Sequence, residues 1–402
     1  MRKFDWLIFS LLICLLFYGV IAIYSASTNK IGIDFETQNY YIKQIIWIFV
    51  SLFFIYALIK TPYTFLEVLI VPAYIITIIL LIVVIFMPEI NGSHRWIPLG
   101  LMNFQPSELA KLITILLIAK LISQPYITGA KIVLRSIIVT IIPVGLIILE
   151  PDLGTALTIL ISTFAIIAVS DLPFIYLILI ISPLIAVITS VSIFIFAAFI
   201  IILIYLLYRN NLSKVLIGFS FVLNLFFFFI TPVIWNSLKS YQQNRILSFI
   251  DPMRDPFGAG YQIIQSKIAI GSGGFMGKGI LLGTQKNMNF LPEHHTDFIF
   301  SVIGEEFGFF GCVILLLIYF LFLFRIAKRL EKLKRKEFKY ATTGILAYLT
   351  FQIFVNIGMN IGIVPTTGIP LPFVSYGGSN LLINVMAVGF VLKFINERSI
   401  FK

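Results

Sequence analysis

The chain opens with the segment MRKFDWLIFSLLICLLFYGVIAIYSAS (residues 1–27), in which two basic residues come shortly before a long apolar run. The run has about 20 residues, and a helix of that length crosses a hydrocarbon core of roughly 30 Å. A secretory signal peptide has a shorter apolar region. We therefore expect this segment to be retained as a first transmembrane helix, with its start in the cytoplasm.

Runs of the same kind recur along all 402 residues, of which 59% are hydrophobic and 40 are Phe. Spanning segments must satisfy their backbone groups internally, so these runs should be helices; the alternating pattern of barrel strands is different. The composition predicts an all-α, polytopic helical membrane protein with about 10–12 transmembrane helices. We expect one integral membrane domain, 1–402, with spans at 6–26, 41–59, 66–87, 107–122, 132–149, 154–169, 173–190, 192–208, 214–236, 298–323, 341–360 and 380–395.

The net charge of +11 is concentrated between the apolar runs. The stretch RIAKRLEKLKRKEFK (about 325–339) contains eight basic and two acidic residues. Short cytoplasmic loops carry such an excess, so this stretch is predicted to be a cytoplasmic loop, and both termini fall on the same side. The basic residues should contact membrane lipids, and no nucleic acid is expected as a partner. Cys14 and Cys312 both lie in apolar runs, which indicates no disulfide framework.

Three segments, 88–106, 237–297 and 361–379, fall on the opposite, extracytoplasmic side. The segment of about 237–297 is the largest of these loops, and loops of that length are usually functional.

The stretch 173–208 allows either one long helix broken at Pro183 or two short spans. An odd number of crossings keeps the basic loops on one side, so three crossings between residues 171 and 237 are preferred over one.

Ionisable groups are concentrated in LPEHHTDFIFSVIGEE (291–306), which includes two of the three histidines. Pro292 breaks any helix and Thr296 fits an N-cap, so Asp297 should lie in the first turn of the next span. Its carboxylate either complements the helix dipole or accepts a proton from a bound hydroxyl. Glu306 lies nine residues beyond Asp297, half a turn out of phase, so the two should not share a face.

Glu293, His294 and His295 raise the question of a metal site. Adjacent histidines point in different directions, and no third ligand has the spacing of a zinc site. We therefore expect no tightly bound cofactor. A loosely held Mg²⁺ or Mn²⁺, shared with a phosphate substrate, is the alternative that the sequence leaves open.

The motif QPSELAKL (105–112) places Glu108 and Lys111 on one helix face, just inside the bilayer. Ionisable groups at that depth usually face a partner or a cavity. The two residues form a structural ion pair, or Lys111 holds an anionic substrate, or both. Four more cations fall on the predicted extracytoplasmic side, where as a set around Asp297 they would suit a pyrophosphate: Arg95, Arg245, Lys267 and Lys278.

Five blocks, in the right order and covering most of the chain, resemble the SEDS family (shape, elongation, division and sporulation). They are GSHRWIPLG…FQPSELAKL, EPDLGTAL, RILSFIDPMRDPFGAGYQIIQSKIAIGSGG…GKGILLGTQ, LPEHHTDFIFSVIGEEFGFFG and GIPLPFVSYGGSN. Two of these forms, GTQ…NFLPEHHTDFIF and GIVPTTGIPLPFVSYGGS, are more similar to the RodA branch than to the FtsW branch. RodA-like chains usually have a single helix where the stretch from Leu172 to Tyr241 has room for three.

The resemblance implies a peptidoglycan glycosyltransferase of the bacterial cytoplasmic (inner) membrane. Such an enzyme polymerises lipid II for cell wall elongation and cell shape, with undecaprenyl pyrophosphate as leaving group. Its catalytic aspartate falls on Asp297, and its paired acid and lysine fall on Glu108 and Lys111. A class B penicillin-binding protein transpeptidase and other membrane proteins of the elongation complex are implied as partners.

Two other functions compete with this one. A lipid II flippase would bind its substrate near the bilayer midplane on broken helices, whereas the ionisable groups here cluster at one edge of the membrane. A non-catalytic scaffold of the elongation machinery would explain the basic loop but not Asp297 with Glu108 and Lys111. The sequence therefore favours the enzyme.

Overall fold

The computed structural model describes residues 4–28, 39–88, 94–98, 103–127, 129–237, 243, 247, 249, 251–256, 260–284 and 295–397. The helices in this part are α1 (Trp6–Ser27), α2 (Tyr40–Lys60), α3 (Tyr63–Ile85), α4 (Pro106–Ile122), α5 (Ala130–Leu149), α6 (Leu153–Val169), α7 (Ile175–Thr189), α8 (Ile193–Arg209), α9 (Lys214–Ser237), α10 (Tyr261–Ser272), α11 (Ile299–Leu330), α12 (Lys336–Ile361) and α13 (Gly378–Asn396). A short 3₁₀ helix covers Pro252–Arg254. Strands β1 (Ile97–Pro98) and β2 (Asn103–Phe104) pair antiparallel, with Ile97 opposite Phe104.

The predicted all-α membrane architecture is confirmed, and every predicted span coincides with one helix other than α10. In the described part of the chain, eight helices are at least 18 residues long and apolar enough to cross a membrane: α1, α2, α3, α5, α9, α11, α12 and α13. Helices α6, α7 and α8 are apolar but shorter. Helix α4, with 17 residues, contains Glu108, Lys111 and Lys120.

The stretch 173–208 forms two helices, α7 and α8, separated at residues 190–192. Pro183 lies inside α7 and does not end it. Helices α7, α8 and α9 pack around a core of their own, which includes Phe196 and Leu203, and α7 connects this unit to α6. Within the unit, Asn224 of α9 donates a hydrogen bond to Ser182 of α7 at 3.0 Å. The chain between residues 171 and 237 therefore contains three helices, in agreement with the three crossings preferred from the sequence.

The predicted basic loop 325–339 is mostly helical, because α11 continues to Leu330 and α12 begins at Lys336. Arg325 and Arg329 lie on the last turns of α11 and donate hydrogen bonds to Asp5, the N-cap of α1. Burial would raise the pKa of Asp5, but the bonds from the two arginines hold it below its usual range. We call this end of the bundle, with Arg325, Arg329 and residues 331–335, the basic end.

Helices α12 and α13 form much of the core, since α13 packs on α2 while α12 packs on α4 and α6. At the end of the bundle opposite to the basic end, hydrogen bonds connect the starts of α4, α6 and α13, and the turn before α11 is bonded to the last turn of α12. We call this the site end, because most of the predicted site residues lie there.

Candidate active site

Asp297 lies in a turn, 295–298, that leads into α11. The helix begins at Ile299 with Phe298 as its N-cap, so Asp297 precedes the first turn. The prediction that Thr296 caps this helix and that Asp297 lies in its first turn is therefore wrong. The physical reason is a distant contact: the Ser375 hydroxyl donates to the Thr296 carbonyl at 2.6 Å and holds this segment outside the helix.

The backbone of Asp297 is fixed by two side-chain amides of α12. Asn356 and Asn360 both donate to its carbonyl oxygen, at 2.9 and 3.0 Å. They are four residues apart and so lie on one face of α12. Asn356 also donates to the Ile369 carbonyl at 2.8 Å, and Asn360 accepts from the Ser301 amide at 3.2 Å. Helix α12 thus holds both the Asp297 turn and the loop that follows α12.

That loop, residues 362–377, packs over the half-buried Asp297 side chain. Gly368 has a φ of 69°, and a Cβ added there would lie 3.4 Å from Asp297 Oδ2. Glycine takes this left-handed conformation without steric cost. The Tyr376 amide donates to the His295 carbonyl at 3.0 Å, so the loop runs beside the turn.

An aromatic group borders the same turn. The Tyr40 ring stacks on His295 with centroids 4.5 Å apart and lies 4.6 Å from the Tyr376 ring. Lys43 Nζ is 5.7 Å from the Tyr40 centroid. Burial raises the pKa of the Tyr376 phenol, as does the neighbouring Tyr40. His295 is therefore part of an aromatic cluster, whereas Glu293 and His294 lie outside the described residues.

Glu108 and Lys111 form the ion pair that their spacing allows. Lys111 Nζ lies 2.8 Å from Glu108 Oε2, and both side chains are buried, at 0% and 4% exposure. Asn380 of α13 donates to the same carboxylate oxygen at 2.9 Å. Lys111 Nζ also lies 5.7 Å from the centroid of the Tyr348 ring on α12. The pair therefore connects α4 to α12 and α13 beneath the site end.

Asp152 connects the starts of α4 and α6. It caps α6 by accepting from the Thr155 amide at 3.2 Å, and it accepts from the Gln105 side chain at 3.1 Å. Ser379 at the start of α13 accepts from the Gln105 amide at 3.3 Å. These bonds set the position of the helix start that carries Glu108.

Arg95 is bound to the turn between α5 and α6. Its Nε donates to the Glu150 carbonyl at 3.1 Å, and its Nη2 donates to the Pro151 carbonyl. The Glu150 side chain is fully buried, and neither carboxylate oxygen has a hydrogen-bond partner among the residues that the structure describes. Burial, together with the nearby Asp152, raises the pKa of Glu150 to about 8, although Arg95 opposes this. Sequence reasoning missed Glu150, and its position beside Asp152 in EPDLGT was the available signal.

The other predicted cations have different surroundings. Lys267 is exposed on α10 and lies against Gly362, the C-cap of α12. Its neighbour Ser266 donates to the Asn360 carbonyl at 2.6 Å, so Lys267 belongs to the site end. Lys278 instead pairs with Glu305 at 2.7 Å, about two turns along α11. Arg245 lies outside the described residues.

Glu306 and the Asp297 turn contact different elements. Glu306 accepts a hydrogen bond from Ser25 of α1, whereas the Asp297 turn is bound to α12 and to the 362–377 loop. Among the residues that the structure describes, no group of three or more His, Cys, Asp or Glu side chains could hold a metal ion.

Comparison with known proteins identifies relatives along the whole chain. The family model of the FtsW, RodA and SpoVE cell cycle proteins matches residues 5–201 and 195–400. The chain is 36% identical over 394 residues to the peptidoglycan glycosyltransferase MrdB of Escherichia coli (strain K12), covering 96% of this chain and 92% of MrdB. It is 33% identical over 399 residues to the probable peptidoglycan glycosyltransferase FtsW of Wigglesworthia glossinidia brevipalpis, covering 97% and 93%.

Two solved structures share the fold. One is described as showing the structural coordination of polymerization and crosslinking by a peptidoglycan synthase complex. Its chain matches with a TM-score of 0.73 and 30% identity over 99% of both chains. The other is the rod shape determining protein RodA of Thermus thermophilus, with a TM-score of 0.64 and 26% identity over 99% of this chain and 98% of that one. The chain therefore belongs to the SEDS family, the multi-pass membrane proteins that include FtsW, RodA and SpoVE.

Proposed function

We propose that this protein is a peptidoglycan glycosyltransferase that polymerises lipid II into glycan strands for cell wall elongation and cell shape. The observation that carries the proposal is the half-buried Asp297, whose backbone is fixed by Asn356 and Asn360 at the end of the bundle that also holds Arg95 and Lys267. The relatives named above as peptidoglycan glycosyltransferases support the same reaction.

Asp297 acts as the general base. It accepts the proton of an acceptor sugar hydroxyl while the hydroxyl oxygen attacks the anomeric carbon of the donor. The bond between that carbon and the pyrophosphate oxygen breaks, and its electron pair leaves with the undecaprenyl pyrophosphate. Arg95, Lys267 and Arg245 are the cations we assign to the departing phosphates, because preorganised positive groups stabilise developing negative charge.

Glu108 and Lys111 have a positioning role in this mechanism. Lys111 is fully buried and its charge is balanced by Glu108, so it contributes to the floor of the site. Lys278 is held by Glu305, and we assign it no role in binding the phosphates.

A divalent cation such as Mg²⁺ or Mn²⁺ would neutralise the pyrophosphate during the reaction. The described residues contain no cluster of three ligands, so such an ion would take most of its ligands from the phosphates and from water. In this chain, the Asp297 carboxylate is the group we expect to approach it.

We place the site end outside the cytoplasm and the basic end, with both termini, inside the cell, as the basic residues predict. The site then meets lipid II where glycan strands are made. A class B penicillin-binding protein is the expected partner, which the fold shared with a peptidoglycan synthase complex supports. Other elongation-complex proteins and membrane lipids complete the set of proposed partners.

The second candidate function is lipid II transport. One observation favours it: α11 is broken at Gly308, and broken helices form the binding sites of many transporters. Arg95, Lys267 and Asp297 nevertheless lie at the end of the bundle, not at the break.

Reconstitution distinguishes the two functions. Purified protein in sealed liposomes, supplied with lipid II, Mg²⁺ or Mn²⁺ and the class B partner, should form glycan polymer. A matched preparation with the empty liposomes and partner alone should form none. Movement of lipid II across the bilayer without any polymer would support the transporter and contradict the enzyme.

A further inference from the structure

Helix α11 is opened by a loop that inserts into its hydrogen-bond ladder. Gly308 has φ 66° and ψ −162°, which interrupts the helix. We call residues 274–282 the inserted loop. In a continuous helix the amides of Phe309 and Phe310 would donate to the carbonyls of Glu305 and Glu306. Here all four groups bond instead to residues 274–279 of the inserted loop. These bonds are Phe309 N to Gly274 O (2.9 Å), Phe310 N to Phe275 O (3.2 Å), Lys278 N to Glu305 O (3.0 Å) and Gly279 N to Glu306 O (3.0 Å).

The charges of α11 give the depth of this loop. Between Glu306 and Arg325 lie 18 uncharged residues, 307–324. As a helix they would extend about 27 Å, close to the thickness of a hydrocarbon core. The membrane boundary at the site end therefore falls near Glu305 and Glu306. Phe309 and Phe310 lie just inside the apolar region, and the inserted loop lies at the same depth because it bonds to both.

The outward side of the inserted loop is apolar and exposed. Phe275 is 72% exposed and Met276 is 79% exposed, and Ile280 and Leu282 are also exposed. The Phe275 ring lies 5.9 Å from the ring of Phe309, which is itself exposed on α11. The patch is thus continuous with the apolar surface that α11 presents to lipid.

The side of the loop that faces α11 is closely packed against the helix backbone and carries an ion pair. A Cβ on Gly277 would lie 2.2 Å from the Glu306 carbonyl oxygen, so only glycine lets the loop backbone approach α11. Lys278 pairs with Glu305 at 2.7 Å and remains 27% exposed, which suits a long side chain at the headgroup level. An apolar patch of this kind would be costly in water and is expected against lipid or another apolar surface.

We propose that the inserted loop is a membrane anchor whose Phe275, Met276, Ile280 and Leu282 side chains enter the acyl-chain region of the leaflet at the site end. Its occupant is lipid. Because the loop completes the ladder of α11, and α11 follows directly from the Asp297 turn, the anchor sets the height of the site above the bilayer. This inference concerns the membrane contact alone and holds whichever reaction the site performs.

Fluorescence quenching in liposomes tests the anchor. Full-length protein with Cys14→Ala and Cys312→Ala would carry one polarity-sensitive dye at Met276→Cys, and doxyl-labelled phospholipids would act as quenchers. Met253→Cys, exposed outside the helical bundle, and Leu316→Cys, exposed in the middle of the apolar stretch of α11, are the matched controls.

We expect the dye at position 276 to be quenched most by a doxyl group near the headgroup. The dye at position 316 should be quenched most by a doxyl group near the chain end, and the dye at position 253 by neither. A dye at position 276 that behaves like the one at 253 would overturn the proposal. So would quenching at 276 that disappears when the class B partner binds, because the patch would then be a protein interface.

Discussion

Three carboxylates at the site end have three different surroundings. Glu108 is paired with a buried lysine, Glu150 is buried with no hydrogen-bond partner in the described part of the chain, and Asp297 is half-buried. Environments that separate carboxylates in this way commonly separate their roles as well. We infer a structural role for Glu108, a protonated state for Glu150 at neutral pH because its pKa is raised to about 8, and the role of base for Asp297.

Glu108 and Lys111 should be strongly coupled. Removing either partner leaves an uncompensated charge in the bundle, which destabilises proteins by about 3–5 kcal/mol. Glu108→Gln and Lys111→Met should therefore each lower the unfolding temperature in detergent substantially. The double variant should be more stable than the sum of the two losses predicts. Strictly additive losses in this double-mutant cycle would mean that the two side chains do not interact.

Glu150 should make the stability of the protein depend on pH. Its pKa of about 8 in the folded protein is above the ordinary value of 4.5, so the folded state binds this proton more tightly than the unfolded state. The resulting stability is fully present below pH 4.5 and is lost as the pH rises towards 8. Glu150→Gln cannot ionise and should lose less stability over this range. The measurement is the melting temperature in detergent at several pH values.

Asp171→Asn is the control for that experiment, because Asp171 is exposed and pairs with Lys336 far from the site. It should retain the pH dependence of the unmodified protein. Parallel curves for Glu150→Gln and the unmodified protein would show that Glu150 is ionised in the folded state.

The residues of the site were predictable from sequence only where the signal is local. Asp297, Glu108 and Lys111 stand out because charge is rare in this chain, at 12% of residues. The start of α11 was misplaced, since Thr296 is held by Ser375 from another part of the chain. The contact of Lys278 with Glu305 was likewise invisible, because it depends on how the loop after α10 folds back on α11.

The helices were predictable because their length is set by the membrane. The observed helix ends differ from the predicted ones where charged residues extend a helix beyond its apolar stretch. Helix α11 continues to Leu330, because Arg325 and Arg329 on its last turns bind Asp5. The break at Gly308 was not predictable. A glycine inside an apolar run only weakens a helix, and this one breaks α11 because residues 274–279 supply alternative hydrogen bonds.

Gly308→Ala should destabilise the protein. The φ of 66° with ψ of −162° belongs to glycine, and an added Cβ would lie 2.3 Å from the Gly277 amide nitrogen. Such strain costs on the order of 1–3 kcal/mol. Gly218→Ala on α9 is the matched control, since no atom of the described residues lies within 4 Å of its added Cβ. It should leave the melting temperature unchanged or raise it slightly. Equal effects of the two substitutions would contradict an inserted loop at Gly308.

The cluster of basic residues and the candidate active site lie at opposite ends of the helical bundle. Arg325, Arg329 and residues 331–335 mark one end of the bundle, and the candidate active site marks the other. The sequence predicts this polarity through its basic stretches. It does not predict which side chains meet, because pairs such as Asn380 and Glu108 are 272 residues apart.

Cysteine labelling tests the orientation. In cells that express the variant without Cys14 and Cys312, a membrane-impermeant thiol reagent should label Met253→Cys from outside. It should label Lys334→Cys only after the membrane is permeabilised. Both positions are exposed, so access to the reagent decides the result. Labelling of Lys334→Cys in intact cells would reverse the orientation and with it the side on which the site acts.

Glycan polymerisation by Asp297→Asn tests the catalytic proposal most directly. Asparagine keeps the size of the side chain and can still accept a hydrogen bond, but it cannot take a proton near neutral pH. The purified variant, with lipid II, the class B partner and Mg²⁺ or Mn²⁺, should melt like the unmodified protein and form polymer at least about 10²-fold more slowly. Asp171→Asn, at the basic end, should polymerise normally. Polymer formation by Asp297→Asn at close to the unmodified rate would contradict the assignment of Asp297 as the general base.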